Sequence, residues 1–318
     1  MQSSRTPSWL PPFMPAERMM LGVTAALAIV DIVVIVSRGY QADWPAYAAI
    51  LLFGTVLICV GGFYRSSARS EEIASALIGT GCYVNFSALA AAFNYVLLPI
   101  WRAPIDPTLA AIDAAVGFHW PDTLTLVASY PLLVEATRYA YMSSIFQFAF
   151  IVILLGLGGR TRDLQQFMLA TTLTCLMTLA FWALFPSLGT TSIYSLSAEV
   201  EQQVRPILGS RYGEKMLALA ASGPTLITPK DVTGLISAPS FHTVMALLAL
   251  YAVRNIPWVF WPLLPVNVLV LAGTVIHGAH HLADVTGGVL VTVAGLVAAR
   301  RLAQAPERQP TAPANASA

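Results

Sequence analysis

The amino-acid sequence predicts an all-α protein, a polytopic transmembrane helical bundle of about eight spans. Hydrophobic residues make up 57% of the 318 residues and charged residues only 10%, whereas a soluble domain carries about 25% charged residues. Apolar stretches also recur at the length of about 20 residues that a helix needs to cross a bilayer. These observations exclude a disordered chain, a coiled coil and an ordinary soluble enzyme.

Eight stretches are apolar enough to be transmembrane helices, and a total of six to eight spans fits the pattern. They cover residues 19–37, 45–64, 73–98, 141–158, 164–185, 240–254, 258–276 and 282–299. The sixth and eighth are short, which suits helices that begin below the membrane surface. Residues 123–133 are too short to span and contain Pro131, so we expect a short re-entrant or interfacial segment there.

The spans define one domain with two terminal segments. We expect a cytoplasmic N-terminal segment at residues 1–18, a single integral membrane domain at residues 19–302, and a disordered polar tail at residues 303–318. Asp31 is an acid inside the first span, where we expect a hydrogen bond to a neighbouring helix. The net charge of +1 offers no basic face, and Cys and His do not cluster, so we expect no nucleic acid, metal or cofactor.

The basic residues indicate the orientation, because short cytoplasmic segments are enriched in Lys and Arg. With both termini inside, the short inner segments hold ten arginines: Arg5, Arg18, Arg65, Arg69, Arg160, Arg162, Arg254, Arg300, Arg301 and Arg308. The outer segments are much longer and hold seven basic residues: Arg38, Arg102, Arg138, Arg205, Arg211, Lys215 and Lys230. We therefore expect an integral cell (inner) membrane protein whose long loops, residues 99–140 and 186–239, are extracytoplasmic.

The first cluster of polar residues that could carry chemistry opens the sixth span. Pro239 and Ser240 precede an apolar run, which predicts a helix that starts with Ser240 as its N-cap. The free amides and partial positive charge of a helix N-terminus suit a phosphate. His242 lies in the first turn of this helix and can reach a group that the amides hold. On its own it could equally be an interfacial histidine.

The second cluster has the sequence HGAHHLAD, residues 277–284, and leads into the last span. His280 and Asp284 are four residues apart on one helix face, so the carboxylate can fix the tautomer of the imidazole and raise the basicity of its other nitrogen. Because the sixth span goes in and the seventh returns, the last span starts on the same side as the sixth. We therefore expect His242 and His280 to converge at one mouth of a three-helix unit.

Both clusters resemble motifs of a known family. The sequence PSFH at residues 239–242 resembles the Pro-Ser-x-His motif of the type 2 phosphatidic acid phosphatase superfamily, and residues 280–284 resemble its final His-x-x-x-Asp motif. The combination of PSFHT with HHLADVTGG is most similar to the inositol phosphorylceramide synthase-like branch. Residues 113–120, with their Asp, Gly-Phe and Trp, resemble a further stretch of that branch. The strong resemblance covers residues 235–300, the motif-bearing core of the catalytic domain.

The resemblance implies a metal-independent phosphatase or phosphotransferase that acts on a phospholipid or sphingolipid through a phosphohistidine. In this scheme His280 is the nucleophile, Asp284 orients it and His242 is the general acid. Ser240 and Phe241, at the helix start, bind the phosphate oxygens. The branch favours transfer of a head group to a lipid hydroxyl, and a phosphatidic acid-type phosphatase that uses water is the alternative.

Further residues are candidates for substrate binding. They are Lys230, His277, Asp113 and His119. Ala198 and Thr274 occupy positions where the superfamily usually has phosphate-clamping cations, so a clamp has to come from elsewhere in the outer loops. Lys230 is favoured, and the other candidates are Arg102, Arg138, Arg205, Arg211 and Lys215. His277 is either a partner behind Asp284 or an interface histidine, and His281 is interpreted as a packing residue.

A transporter or channel with a proton-relay histidine cluster is a second alternative, from another functional class. Such a protein is expected to have ionisable residues near the middle of several helices, or inverted repeats. Asp31 is the only clear acid in the middle of a predicted span, and no internal repeat is evident. The sequence therefore favours the enzyme, and it leaves the lipid, the acceptor and the oligomeric state open.

Overall fold

The structure is a computed structural model that describes residues 13–230 and 234–304. The helices of the described residues, numbered in chain order, are α1 Pro15–Arg38, α2 Trp44–Ser66, α3 Glu71–Val96, α4 Asp106–Ala115, α5 Trp120–Ala128, α6 Pro131–Leu157, α7 Thr161–Leu184, α8 Ala198–Val204, α9 Ser210–Ser222, α10 Phe241–Val253, α11 Pro257–His277 and α12 Leu282–Gln304. A 3-10 turn covers Thr190–Ser192. Two short strands, β1 Gln41–Ala42 and β2 Leu226–Ile227, pair in parallel.

The predicted all-α membrane bundle is confirmed. Among the described residues, seven helices are long and apolar enough to cross a membrane: α1, α2, α3, α6, α7, α11 and α12. Helix α10 is also apolar and has 13 residues, which fits the short sixth segment, whereas the eighth, α12, has 23 residues and the expectation that it is short is wrong. The chain is therefore an integral multi-pass membrane protein with up to eight spans.

Helix α6 begins earlier than the sequence predicts, at Pro131 rather than at residue 141. Proline fits the first turn of a helix, because the N–H that it lacks would have no partner there. The additional turns carry polar residues that contact α8. Arg138, for example, donates to the backbone carbonyl of Val204 (2.8 Å). The apolar residues 123–133 are consequently divided between the end of α5 and the start of α6.

The two ends of the predicted membrane domain also differ slightly from the structure. Helix α1 begins at Pro15, inside the expected N-terminal segment, where the buried carboxylate of Glu17 forms an ion pair with Arg65 of α2 (2.6 Å). Helix α12 continues to Gln304, two residues into the expected tail. Residues 1–12 and the rest of that tail lie outside the described residues.

Two helices lie at the centre of the bundle. Helix α3 packs against α1, α2, α6 and α7, and α10 packs against α6, α7, α11 and α12. One large cluster of buried apolar side chains joins the two groups, and it includes Phe86 of α3, Phe148 of α6, Phe167 of α7 and Leu248 of α10. Because four helices surround α10, its first turn has a defined position at one end of the bundle, where α12 also begins.

Asp31 in α1 is a buried acid that makes no hydrogen bond to the described residues. Its side chain is 2% exposed, and neither carboxylate oxygen has a hydrogen-bond partner among the described residues. The buried hydroxyl of Tyr47 on α2 also lacks a partner there. The expected hydrogen bond between Asp31 and a neighbouring helix is therefore wrong. A buried polar group without a partner costs about 1–3 kcal/mol.

We expect Asp31→Leu to stabilise the bundle by about 1–3 kcal/mol, because it removes a polar group that no partner compensates. The midpoint of unfolding in a denaturing detergent should move to a higher detergent concentration. Asp31→Asn is the matched control, since it removes the acid but keeps buried polar atoms, and it should gain much less. A midpoint for Asp31→Leu below that of the wild type would contradict this reasoning.

Candidate active site

The two motifs of the sequence are in direct contact. The backbone N–H of Ser240, at the start of α10, donates to the backbone carbonyl of Asp284 in the first turn of α12 (3.0 Å). A glycine permits this approach, since a Cβ at Gly288 would lie 2.6 Å from the Ser240 carbonyl oxygen and 2.7 Å from Cβ of Thr243. The predicted convergence of the sixth and last spans is confirmed.

His280 and Asp284 form a buried pair. Nδ1 of His280 lies 3.2 Å from Oδ2 of Asp284, and the two side chains are 4% and 0% exposed. An ionised carboxylate only accepts hydrogen bonds, so the hydrogen of the neutral imidazole lies on Nδ1. Nε2 then carries the lone pair, and no described residue is seen to hydrogen-bond to it. The arrangement is that of an oriented imidazole with one free basic nitrogen.

Two further donors hold the carboxylate of Asp284. Its Oδ2 accepts from the hydroxyl of Ser237 (2.5 Å) and from the backbone N–H of His281 (2.9 Å). The Ser237 hydroxyl also lies 3.5 Å from Nδ1 of His280. Ser237 was not predicted from the sequence, where its place shortly before the Ser240 N-cap is the only signal. With three donors on one oxygen, the plane of the carboxylate is well defined.

His242 lies in the first turn of α10 and is half-buried. Its ring stacks on Tyr141 of α6, with the ring centroids 4.1 Å apart and the planes at 21°. The His280 ring is 6.5 Å from that of His242 and inclined to it by 67°. The two imidazoles therefore border the same small space. Tyr141 was not predicted as a site residue, because inside a span it looks like an ordinary apolar position.

Gly278 allows these rings to pack against the backbone. A Cβ at this position would lie 2.9 Å from Cδ2 of His280 and 3.0 Å from Cε2 of Tyr141. The rings of Tyr141, His242 and His280 consequently form one aromatic wall at the start of α10. A larger residue at 278 would displace the ring of His280 from Asp284.

Ser240 is the N-cap of α10, as predicted. Its hydroxyl oxygen accepts from the backbone N–H of Thr243 (3.4 Å), and the residue is fully buried. The backbone N–H groups of Phe241 and His242 have no partner within the helix. The side chain of Phe241 packs against the main apolar cluster. The groups that α10 offers to an anion include its first amides, and binding by the Ser240 and Phe241 side chains stays a prediction.

A second buried cluster lies beside the pair. The ring of His281 is placed between two carboxylates, with Nδ1 3.4 Å from Oδ2 of Asp113 and Nε2 3.6 Å from Oδ1 of Asp106. These are ion-pair distances, longer than good hydrogen bonds. Burial lowers the pKa of His281, but Asp106, Asp284 and Asp113 together raise it above its ordinary value. The interpretation of His281 as a packing residue is therefore wrong, and Asp106 was not predicted.

The comparison with known families decides the class of the protein. Residues 107–298, more than half of the chain, match the model described as PAP2 superfamily. The chain belongs to the PAP2 superfamily. No curated protein matches it, and no solved structure does. Membership supports a phosphatase-type enzyme that acts on lipid phosphates, and the matched residues contain every site residue described above except Asp106.

His277 has a structural place in this PAP2 chain. It is fully buried, its Nε2–H donates to the backbone carbonyl of Val134 (3.0 Å), and the same nitrogen lies 3.1 Å from Oγ1 of Thr137. These contacts join α11 to α6. They fit the alternative in which His277 is an interface histidine, and Nδ1 has no hydrogen-bond partner among the described residues.

The other predicted substrate-binding residues occupy separate places. Asp113 accepts from the backbone N–H groups of Leu282 and Ala283 (2.9 and 2.8 Å) and so caps α12. The half-exposed His119 pairs with Asp122 (2.9 Å) at the start of α5. Lys230, which is 79% exposed, lies 3.6 Å from Asp43 on the connection that follows β1. No described contact joins Lys230 or His119 to His280, Asp284 or His242, so the binding of a PAP2 substrate by Lys230 and His119 stays a prediction.

Arg138 is an outer-loop cation on α6, the helix that also carries the site residue Tyr141. It lies one turn before Tyr141 on α6, and its guanidinium donates to the carbonyl oxygens of Val204 and Arg205. Its Nε is buried and makes no hydrogen bond among the described residues, but it lies 3.8 Å from Oε2 of Glu135. Arg205 is paired with the same Glu135 (2.5 Å). Among the described residues, no three His, Cys, Asp or Glu side chains are grouped so as to hold a metal ion.

Proposed function

We propose that the protein transfers a phosphate-containing head group from one membrane lipid to the hydroxyl of another, through a covalent phosphohistidine at His280. This is the activity that resemblance to the inositol phosphorylceramide synthase-like branch implies. The observation that carries the proposal is the buried contact of 3.2 Å through which Asp284 engages Nδ1 of His280 and leaves Nε2 free. A lipid phosphatase that uses water as acceptor is the alternative, and PAP2 membership supports it as well.

In the first half of the reaction, Nε2 of His280 bonds to phosphorus as the bond from phosphorus to the leaving oxygen of the donor lipid breaks. The imidazole then holds a hydrogen at Nδ1 and a phosphoryl group at Nε2, and Asp284 stabilises its positive charge. Protonated His242 gives its proton to the leaving oxygen. The half-buried position of His242, with its ring 6.5 Å from that of His280, supports this role.

In the second half, neutral His242 takes the proton of the incoming hydroxyl. The oxygen of that hydroxyl bonds to phosphorus as the bond between phosphorus and Nε2 breaks. Both histidines are returned to their starting protonation states. The cycle balances with side chains alone, and we therefore propose that it needs no metal and no cofactor.

The phosphate oxygens are proposed to bind at the start of α10. The amides of Phe241 and His242, together with the positive end of the helix, favour an anion there. Arg138 is the proposed cationic partner, because it precedes Tyr141 by one helical turn and its buried Nε makes no hydrogen bond, although it lies 3.8 Å from the carboxylate of Glu135. Lys230, the cation that the sequence favours, remains the alternative candidate.

Head-group transfer is tested with purified protein in mixed micelles that contain EDTA throughout. A phospholipid labelled in its head-group phosphate is offered alone, with ceramide or with diacylglycerol. We expect the label to appear on an acceptor lipid, because the resolving nucleophile is a lipid hydroxyl. Label released only as free phosphate would establish the phosphatase alternative. Loss of activity in EDTA, restored by one divalent ion, would remove the phosphohistidine mechanism.

The active site is proposed to face the extracytoplasmic side, as the distribution of Arg and Lys indicates. The test uses a background without the exposed Cys59 and a membrane-impermeant maleimide on intact cells. A cysteine at the exposed residue Glu214 of α9 should react, while one at Ser67, between α2 and α3, should react only after the membrane is permeabilised. The opposite pattern would reverse the orientation and leave the chemistry untouched.

A further inference from the structure

Three buried ionisable side chains adjoin the proposed catalytic residues without belonging to them. Asp106 and His281 are 0% exposed and Asp113 is 4% exposed. Two buried carboxylates with no cation nearby would be very unfavourable. His281 lies within 3.6 Å of both, so it is placed to act as their counter-charge.

Each acid holds a different piece of backbone. Asp106 accepts from the N–H groups of Leu188 and Gly189 (2.9 and 2.7 Å). The next residue, Thr190, donates its N–H to the carbonyl oxygen of Ala279 (2.8 Å), immediately before His280. Asp106 therefore supports the chain on one side of the catalytic histidine.

Asp113 supports the chain on the other side. It accepts from the N–H groups of Leu282 and Ala283, which are the first residues of α12. The backbone N–H of His281 itself donates to Oδ2 of Asp284, the oxygen that also engages His280. The segment from 279 to 284 is thus anchored through α4 at both ends, and the ring of His281 joins the two anchors.

We propose that His281, in its protonated form, is a positioning residue that holds the His280–Asp284 pair in its reactive geometry by linking Asp106 to Asp113. The inference rests on the proposed function. Only the imidazolium has a hydrogen on both ring nitrogens, and both nitrogens face carboxylates. A neutral ring would leave one of the two buried acids without a counter-charge.

The ionic link that His281 makes between Asp106 and Asp113 is expected to be lost as the pH rises. The charged groups that face His281 are Asp106 and Asp113 of α4 and Asp284 of α12, and they raise its pKa above the ordinary value although burial opposes them. A group whose pKa is raised by folding contributes its full stabilisation below the pKa of the unfolded chain, about 6.5, and loses it as the pH rises through the higher value of the folded state. The melting temperature should therefore contain a component that declines as the pH rises above about 6.5, and kcat should contain one that declines at higher pH, through the raised pKa of the folded state.

The test uses the full-length protein in detergent and the variants His281→Gln, Asp106→Asn and their double variant. We expect His281→Gln to lower kcat by about 100-fold with KM little changed, because a small displacement of the reacting atoms is enough for such a loss. Its melting temperature should also lack the alkaline decline of the wild type. Asp163→Asn, which breaks an ion pair with Arg254 (3.4 Å) at the opposite end of the bundle, is the control and should keep the wild-type kcat and pH profile.

The double variant distinguishes counter-charge from simple packing. If His281 acts through its charge, removal of the Asp106 charge should restore part of the kcat that His281→Gln loses, and the two effects should not add. Additive losses, or a folded His281→Gln protein with the wild-type kcat and pH profile, would overturn the proposal. The melting curves need no substrate, so an inactive wild type with the expected pH dependence would refute the proposed function while the ionic link stands.

Discussion

His280→Ala is expected to abolish turnover, by about four orders of magnitude or more, and to abolish any acid-labile phosphoenzyme. The variant removes the nitrogen that forms the covalent bond to phosphorus, and no neighbouring residue replaces it. The measurement is turnover of a labelled phospholipid together with isolation of the labelled protein after rapid quenching. A size-exclusion profile in detergent and a melting temperature equal to those of the wild type would show that the variant is folded.

Asp284→Asn extends the same prediction. Asparagine can keep a hydrogen bond near Nδ1 of His280, but it cannot stabilise the positive charge that the ring gains during transfer. The rate should fall by about 10² to 10⁴-fold. Because His280 and Asp284 act as one unit, the double variant should lose little more than His280→Ala alone. A folded His280→Ala protein that transfers phosphate at nearly the wild-type rate would refute the mechanism and leave only the membrane architecture.

His242→Ala is expected to lower the rate with a natural lipid by about 10² to 10⁴-fold, the usual contribution of a general acid. An activated aryl phosphate leaves without a proton, so phosphoenzyme formation from it should be largely spared. The size of the defect should therefore follow the basicity of the leaving group, and the measurement is a series of leaving groups assayed with the wild type and the variant.

One result would alter this assignment of His242. Equal loss with every leaving group would mean that His242 binds the phosphate and does not donate a proton. Tyr141→Leu is the matched control, because it removes the ring on which His242 stacks at 4.1 Å but leaves the imidazole. Tyr141→Leu should lower the rate by a similar factor with every leaving group.

Local patterns predicted the membrane helices and the helix start at Ser240, because hydropathy and capping depend on neighbours in the chain. They missed the earlier start of α6 at Pro131, because Glu135, Thr137 and Arg138 interrupt the apolar pattern after the first turn and the contact of Arg138 with α8 is not visible in the sequence. They also misjudged His281. The position of His281 is usually aromatic in the branch that the sequence resembles, which favoured packing, and only the fold shows that Asp106 and Asp113 approach it from α4.

The sequence by itself determined the membrane bundle, the superfamily motifs and the meeting of His242 with His280, since the number of spans between two motifs dictates whether they lie on the same side. Only the tertiary structure decided which residues support them. Tyr141 reaches His242 from α6 and Asp106 reaches His281 from α4. Such contacts join residues more than a hundred positions apart in the chain, and they depend on how helices pack, which no local pattern specifies.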